Sequence, residues 1–196
     1  MLATSRKYLN PRQVGPSTDP SSNAATASTA AYRRIELAAE APHVLPSRPA
    51  FMPFFENQSR TDLRRLYLEA WRKYRERLPL EPVEAQIAQV IAEHPEYHTL
   101  FEDGEVALSS DFTPESGNAN PFLHMALHLA VRDQVATDRP TGIREAHVAL
   151  AKRRGVHDAE HAIIEHLAEA LWQSQRDGAL PNEQLYLSRV KRLLRR

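Results

Sequence analysis

From residue 59 onward, apolar residues recur three and four positions apart, the period of a helix that buries one stripe. Ser59 or Thr61 is suited to cap a first helix through Leu63, Leu66, Tyr67, Ala70, Trp71 and Tyr74, which share one face. Pro82 opens a second helix over Val83 to Ala92, and Pro95 ends it because its ring disfavours helical backbone at His94. The stretch from Glu102-Asp-Gly104 to Gly117-Asn118 reads as a loop. Asn120-Pro121 then pairs an N-cap with a first-turn proline and starts a helix reaching about Thr137. Further helices are expected over about 142–154, closed by Gly155, over 158–176, ended by Gly178 and Pro181, and over 183–194. With no alternating strand pattern of useful length, the expected fold is all-α, a compact bundle of five to six helices.

The helix from Pro121 differs from its neighbours. Phe122, Leu123, Ala126, Leu127, Ala130, Val131 and Val135 spread around most of its circumference and leave a narrow polar edge at Arg132 and Asp133. A helix apolar nearly all round belongs in the interior, so this one is expected at the centre of the bundle.

The first fifty-one residues have another character. They are rich in Pro, Ser, Thr and Ala and carry a polar run over 15–23. Such a segment buries too little apolar surface to offset the entropy of ordering it, so 1–51 is expected to be a disordered extension and 52–196 a single helical domain. Arg6, Lys7 and Arg12, with no acid before Asp19, give the extension some transit-peptide colour, although it lacks the apolar core of a secretory signal. The abrupt change of composition fits a translation start at Met52, with the preceding stretch as an upstream extension of the reading frame.

Composition narrows the function classes. Twenty-five basic and 25 acidic residues cancel to a formal charge of zero, so the basic surplus that a phosphate backbone demands is missing and no nucleic-acid partner is expected. The chain has no cysteine, which excludes disulfides and thiolate metal sites and is compatible with a reducing cytoplasm, the expected location. No apolar run approaches the roughly 20 residues that span a bilayer. Neither a G-x-S-x-G turn nor a glycine-rich phosphate loop is present. Any metal must therefore be held by His, Asp or Glu.

Nine histidines make that last point relevant. His124 and His128, four residues apart on the central helix, project from one face in successive turns, a spacing that lets two imidazoles reach one ion; the alternative is that each bonds a neighbouring carbonyl or carboxylate. His157-Asp-Ala-Glu160-His161 matches the letters of the inverted zinc-peptidase motif H-x-x-E-H. On that helix Glu160 falls inside the apolar stripe of Ile163, Ile164, Leu167 and Leu171, with His157 and His161 along its edge. A carboxylate so placed needs a cation or a donor, and His124, His128, His161 and Glu160 meet in one cavity if the two helices pack together. A carboxylate-bridged di-iron bundle needs two Glu-x-x-His helices, and this chain approaches that spacing only once. A third cluster, His94-Pro-Glu-Tyr-His98, sits where a proline breaks a helix and reads as a capping turn with Tyr97 packed inward, with metal binding as the lesser alternative.

The segments Glu93-His-Pro-Glu-Tyr-His98, Asn120-Pro-Phe-Leu-His-Met-Ala-Leu-His-Leu-Ala130, Gly142-Ile-Arg144, Asp158-Ala-Glu-His161 and Trp172-Gln-Ser-Gln-Arg176 together resemble a bacterial family, the domain of unknown function number 1841. The resemblance covers about Phe55 to Leu194. It implies a domain starting near Met52 and transfers no activity.

Two function classes fit these observations. The one placed first is a non-enzymatic adaptor whose Arg-rich first helix (Arg64, Arg65, Arg72, Arg75) or basic tail, Arg189 to Arg196, docks an acidic protein partner. The alternative is a metal-binding helical domain in which His124, His128, His161 and Glu160 hold Zn²⁺ or Fe²⁺, with a coordination position open to water for hydrolytic or redox work.

Overall fold

A computed structural model describes residues 59–112 and 120–195 of the chain, so the expectations for 1–51 and for a start at Met52 lie outside the described residues. Ser59 caps α1 (Arg60–Arg75) through a reciprocal box: its hydroxyl accepts from the Asp62 N–H at 3.1 Å, and the Asp62 carboxylate accepts from the Ser59 N–H at 3.3 Å. Tyr67, Ala70 and Trp71 of the predicted stripe are buried, whereas Tyr74 leaves the core and stacks on Trp71 with centroids 5.5 Å apart. α2 (Pro82–Ala92) begins on its proline and ends before Pro95, as the ring geometry requires.

The expected loop after Glu102 is partly helical. A 3₁₀ turn at Pro95–Tyr97 leads into α3 (His98–Glu102), and α4 (Gly104–Ser109) follows, capped by Asp103, whose carboxylate accepts from the Val106 N–H at 3.1 Å. These helices are five and six residues long, too short to show an apolar period, and Asp-Gly reads locally as a turn. They are held by tertiary contacts: Phe101 and Ala107 are buried against α1. Arg64 provides a further tie. Expected on a docking face, it is instead buried, with Nη1 donating to the carbonyls of Ala107, Leu108 and Ser110 at 3.2, 3.0 and 2.8 Å and its guanidinium lying over Phe112 and Phe122. A guanidinium has the donors to satisfy the exposed carbonyls at the end of so short a helix. The rest of the basic face is largely self-neutralised, Arg72 pairing with Glu69 and Glu76, Arg65 with Asp62 and Arg75 with Glu102.

Asn120 caps α5 (Pro121–Thr137), its side-chain oxygen accepting from the N–H groups of Phe122 and Leu123 at 3.1 and 3.2 Å. α6 (Ile143–Arg154) and α7 (Val156–Asp177) are joined by Gly155 alone, at φ 86°, a backbone setting that disfavours any side chain. α8 (Glu183–Leu193) returns along α6 and α7. The described residues thus form eight α-helices and no strand, six of them the long helices expected from the pattern.

As its composition demands, α5 is central. One side of it, Phe122 and Met125, enters a core with Tyr67, Trp71, Ile87, Val90, Ile91 and Phe101 of the first helices. The other, Leu127, Ala130 and Val131, enters a second core with Ile143, Leu150, Ile163, Ile164, Leu167 and Val190. The helix is in contact with α2, α6 and α7, and its histidines face α7 and the end of α2. Among the described residues no helix is long and apolar enough to cross a membrane.

Candidate metal centre

Three chain segments converge on one point. His124 and His128 come from successive turns of α5, His161 from α7, and His94 from the residue just after Glu93 at the end of α2. The Nε2 atoms of His124, His128 and His161 form a nearly equilateral triangle with edges of 3.0, 3.2 and 3.2 Å. His94 Nε2 lies 3.5 Å from His161 Nε2, and one ring nitrogen from each of the four residues falls within 4.8 Å of all the others. A tetrahedral ion with metal–nitrogen distances near 2.0–2.1 Å holds its nitrogens about 3.3–3.4 Å apart. Three of the nitrogens are near that spacing, and the donor set fits a transition-metal ion in number and chemistry.

The outer nitrogens decide which atoms face inward. His94 Nδ1 is 2.7 Å from the Val90 carbonyl oxygen, which can only accept, so Nδ1 bears the proton and Nε2 the lone pair. His128 Nδ1 is 2.8 Å from Glu160 Oε2, with the same result. His124 Nδ1 is 3.0 Å from the Tyr97 hydroxyl, which can accept its proton. The Nε2 lone pairs of His94 and His128 thus face the cluster, where an ion could take them together with Nε2 of His124 and His161.

Charge is managed from the far side of His128. Glu160, only 3% exposed, accepts from Arg132 as well, with Nε at 3.0 Å from Oε1 and Nη2 at 3.0 Å from Oε2. Arg132 also reaches Glu93, at the end of α2, at 2.5 Å. The guanidinium compensates the carboxylate, so Glu160 can orient His128 without drawing a second proton onto its ring. All four imidazoles are held below the ordinary histidine pKa, in each case chiefly by burial: His124 is pushed down to about 2 and His161 to about 4, with neighbouring imidazoles adding to the effect. Burial lowers His94 and His128 likewise. At neutral pH the four rings are uncharged and available as donors.

Of the residues singled out in the sequence, His124, His128 and His161 are brought together, and Glu160 stands behind His128 on its Nδ1 side. His94 was hidden by Pro95, which marked the segment as a helix end; it caps the last turn of α2 through Nδ1 and presents Nε2 to the cluster. Tyr97 does pack inward, onto His124, while His98 caps the Ile91 carbonyl at 3.0 Å and lies against Trp71, outside the cluster. Arg132, expected on a polar edge, is a half-buried ion-pair partner of Glu160 and Glu93. Spacing alone places it one turn after His128, but its pairing with Glu160, 28 residues away, shows only in the fold.

Fold and site together define an all-helical domain with a buried imidazole cluster between two apolar cores. The chain belongs to the family of the domain of unknown function DUF1841, whose model matches residues 59–192. No curated protein and no solved structure matches it.

Proposed function

We propose that this domain binds a divalent transition-metal ion through Nε2 of His94, His124, His128 and His161. The observation that carries the reading is the convergence of these nitrogens, three of them 3.0–3.2 Å apart, from three separate segments of the fold. Ring nitrogens of four imidazoles face one another here, and an ion among them would be held by their lone pairs. An all-imidazole set suits Zn²⁺ and Fe²⁺, and equally Cu²⁺ and Ni²⁺. Glu160 and Arg132 act as positioning residues, fixing the tautomer and direction of His128.

The test uses full-length protein purified without a histidine tag, stripped with chelator and titrated with Co²⁺ while the visible ligand-field bands are followed. Saturation at a single ion per chain is expected. His128→Ala abolishes the bands, Glu160→Gln weakens affinity by about 10- to 100-fold, and His98→Ala leaves the titration unchanged. Substoichiometric uptake indifferent to His128→Ala, in variants whose circular dichroism shows them folded, overturns the reading.

A further inference from the structure

The cluster is graded in its access to water, and a fifth histidine continues the gradient to the surface. His94 and His128 are fully buried, His161 is half-buried, and His157, one turn before His161 on α7, is exposed. The His157 ring centroid lies 4.3 Å from that of His161, 5.0 Å from His94 and 6.0 Å from His128. Yet among the described residues the convergent set comprises the other four, without His157. It sits over the site on its solvent side.

The surrounding charge favours a cation. Asp158, exposed, acts electrostatically on His161, and the exposed Glu96 acts on His94. Asp158 also stands in the first turn of α7, where it offsets the positive end of the helix dipole that an incoming cation would otherwise meet. An exposed imidazole thus leads, within one helical turn, to neutral imidazoles on which the exposed carboxylates of Asp158 and Glu96 act.

Resting on the metal-binding reading above, we propose that His157 is the entry ligand of the site, taking a hydrated divalent cation from solvent and passing it to His161. In the first step an imidazole nitrogen of His157 replaces one water of the aqua ion. In the second, Nε2 of His161 and then the other buried nitrogens each displace a remaining water to solvent, and His157 leaves as the coordination is completed. Each exchange substitutes one neutral donor for another, so no electron moves and no proton is consumed. Release retraces the same path. His157 therefore lowers the barrier for exchange in both directions without adding to the final set of ligands.

Stopped-flow mixing of the full-length apo protein with Co²⁺ measures uptake, and mixing the Co²⁺-loaded protein with excess EDTA measures release. In His157→Ala, uptake and release both slow by about tenfold. The equilibrium Kd stays within about threefold of the parent, because the two rates fall together. Free imidazole added to the variant restores speed. A weaker Kd with unchanged uptake would make His157 a permanent ligand and overturn the proposal, as would rates equal to the parent's. If the parent protein takes up no Co²⁺ at all, the metal-binding reading itself fails, a result reached before any variant is made.

Discussion

The two apolar cores on either side of α5 are built differently. Around α1 to α4 the core is aromatic, with Tyr67, Trp71, Phe101 and Phe122 packed about Ile87 and Met125; around α6 to α8 it is mainly aliphatic, with Ile143, Leu150, Ile163, Ile164, Leu167 and Val190 beside the single buried ring of Tyr186. The aromatic side is closed, beside α1 and α2, by helices of five and six residues, the aliphatic side by helices of 11 to 22. Large rings let short, irregular pieces of chain cover a core, because each buries much area from a single anchor point. They also carry polar atoms inward: the Tyr67 hydroxyl and the Trp71 indole N–H are buried with no hydrogen-bond partner among the described residues. The regular half supplies His161 and the irregular half His94, while His124 and His128 stand on the helix common to both. A donor set divided in this way ties the placement of the cluster to the packing of both halves.

Truncation within each core tests this contrast most strongly. Ile164→Ala should cost toward the upper end of about 2–5 kcal/mol, because long helices fixed on several sides cannot close on the cavity. Ile87→Ala should fall toward the lower end, since α2 has 11 residues against the 22 of α7 and shifts more readily into the space left. Urea unfolding of the apo protein measures both, and equal costs would break the comparison.

Acid probes the seam between the cores. The unfolded chain protonates its histidines near pH 6.5, whereas folded His161 does so only near 4 and His124 near 2. Between these values the unfolded state binds more protons, so apo stability is fully present above pH 6.5 and is lost as pH falls toward and through 4. The urea midpoint of the apo protein should drop over that window, and His124→Gln should flatten the slope. A midpoint independent of pH between 6.5 and 4 would place the acid-sensitive groups elsewhere.

The smallest effect concerns the polar atoms of the aromatic core. Tyr67→Phe removes a buried hydroxyl with no partner among the described residues and keeps the ring's edge-to-face contact with Phe122, whose centroid is 5.9 Å away. Stability should rise by about 1 kcal/mol, read as a higher urea midpoint. A loss of similar size would mean that the hydroxyl is bonded in solution.

What the sequence disclosed follows the same division. The six long helices were legible because their apolar residues repeat over several turns and their ends carry Ser59, Pro82, Asn120, Gly155 and Gly178. α3 and α4 were not, because a helix of one or two turns is stabilised by what it packs against, here Trp71 and Arg64, and leaves no period of its own. His124, His128 and His161 could be placed on faces by angle alone. His94 could not, since it follows the last turn of α2 and its direction is set by a hydrogen bond to Val90. Arg64 and Arg132 were read as surface charge, because a guanidinium satisfied by carbonyls or carboxylates distant in the chain looks the same in a sequence as one in water.

Gly155 bears on how the gene can vary. A single residue at φ 86° joins α6 to α7, and α7 brings His157 and His161 to their places within its first two turns. Each residue added between Gly155 and His161 would turn the following helix by about 100° relative to that joint. Most surface connections absorb insertions by bulging outward, but this one has no spare length in which to do so. Among the chain's turns it should therefore be one where length variation is least tolerated, and a survey of insertions along the domain should find it empty while the longer connection between α7 and α8 accepts them.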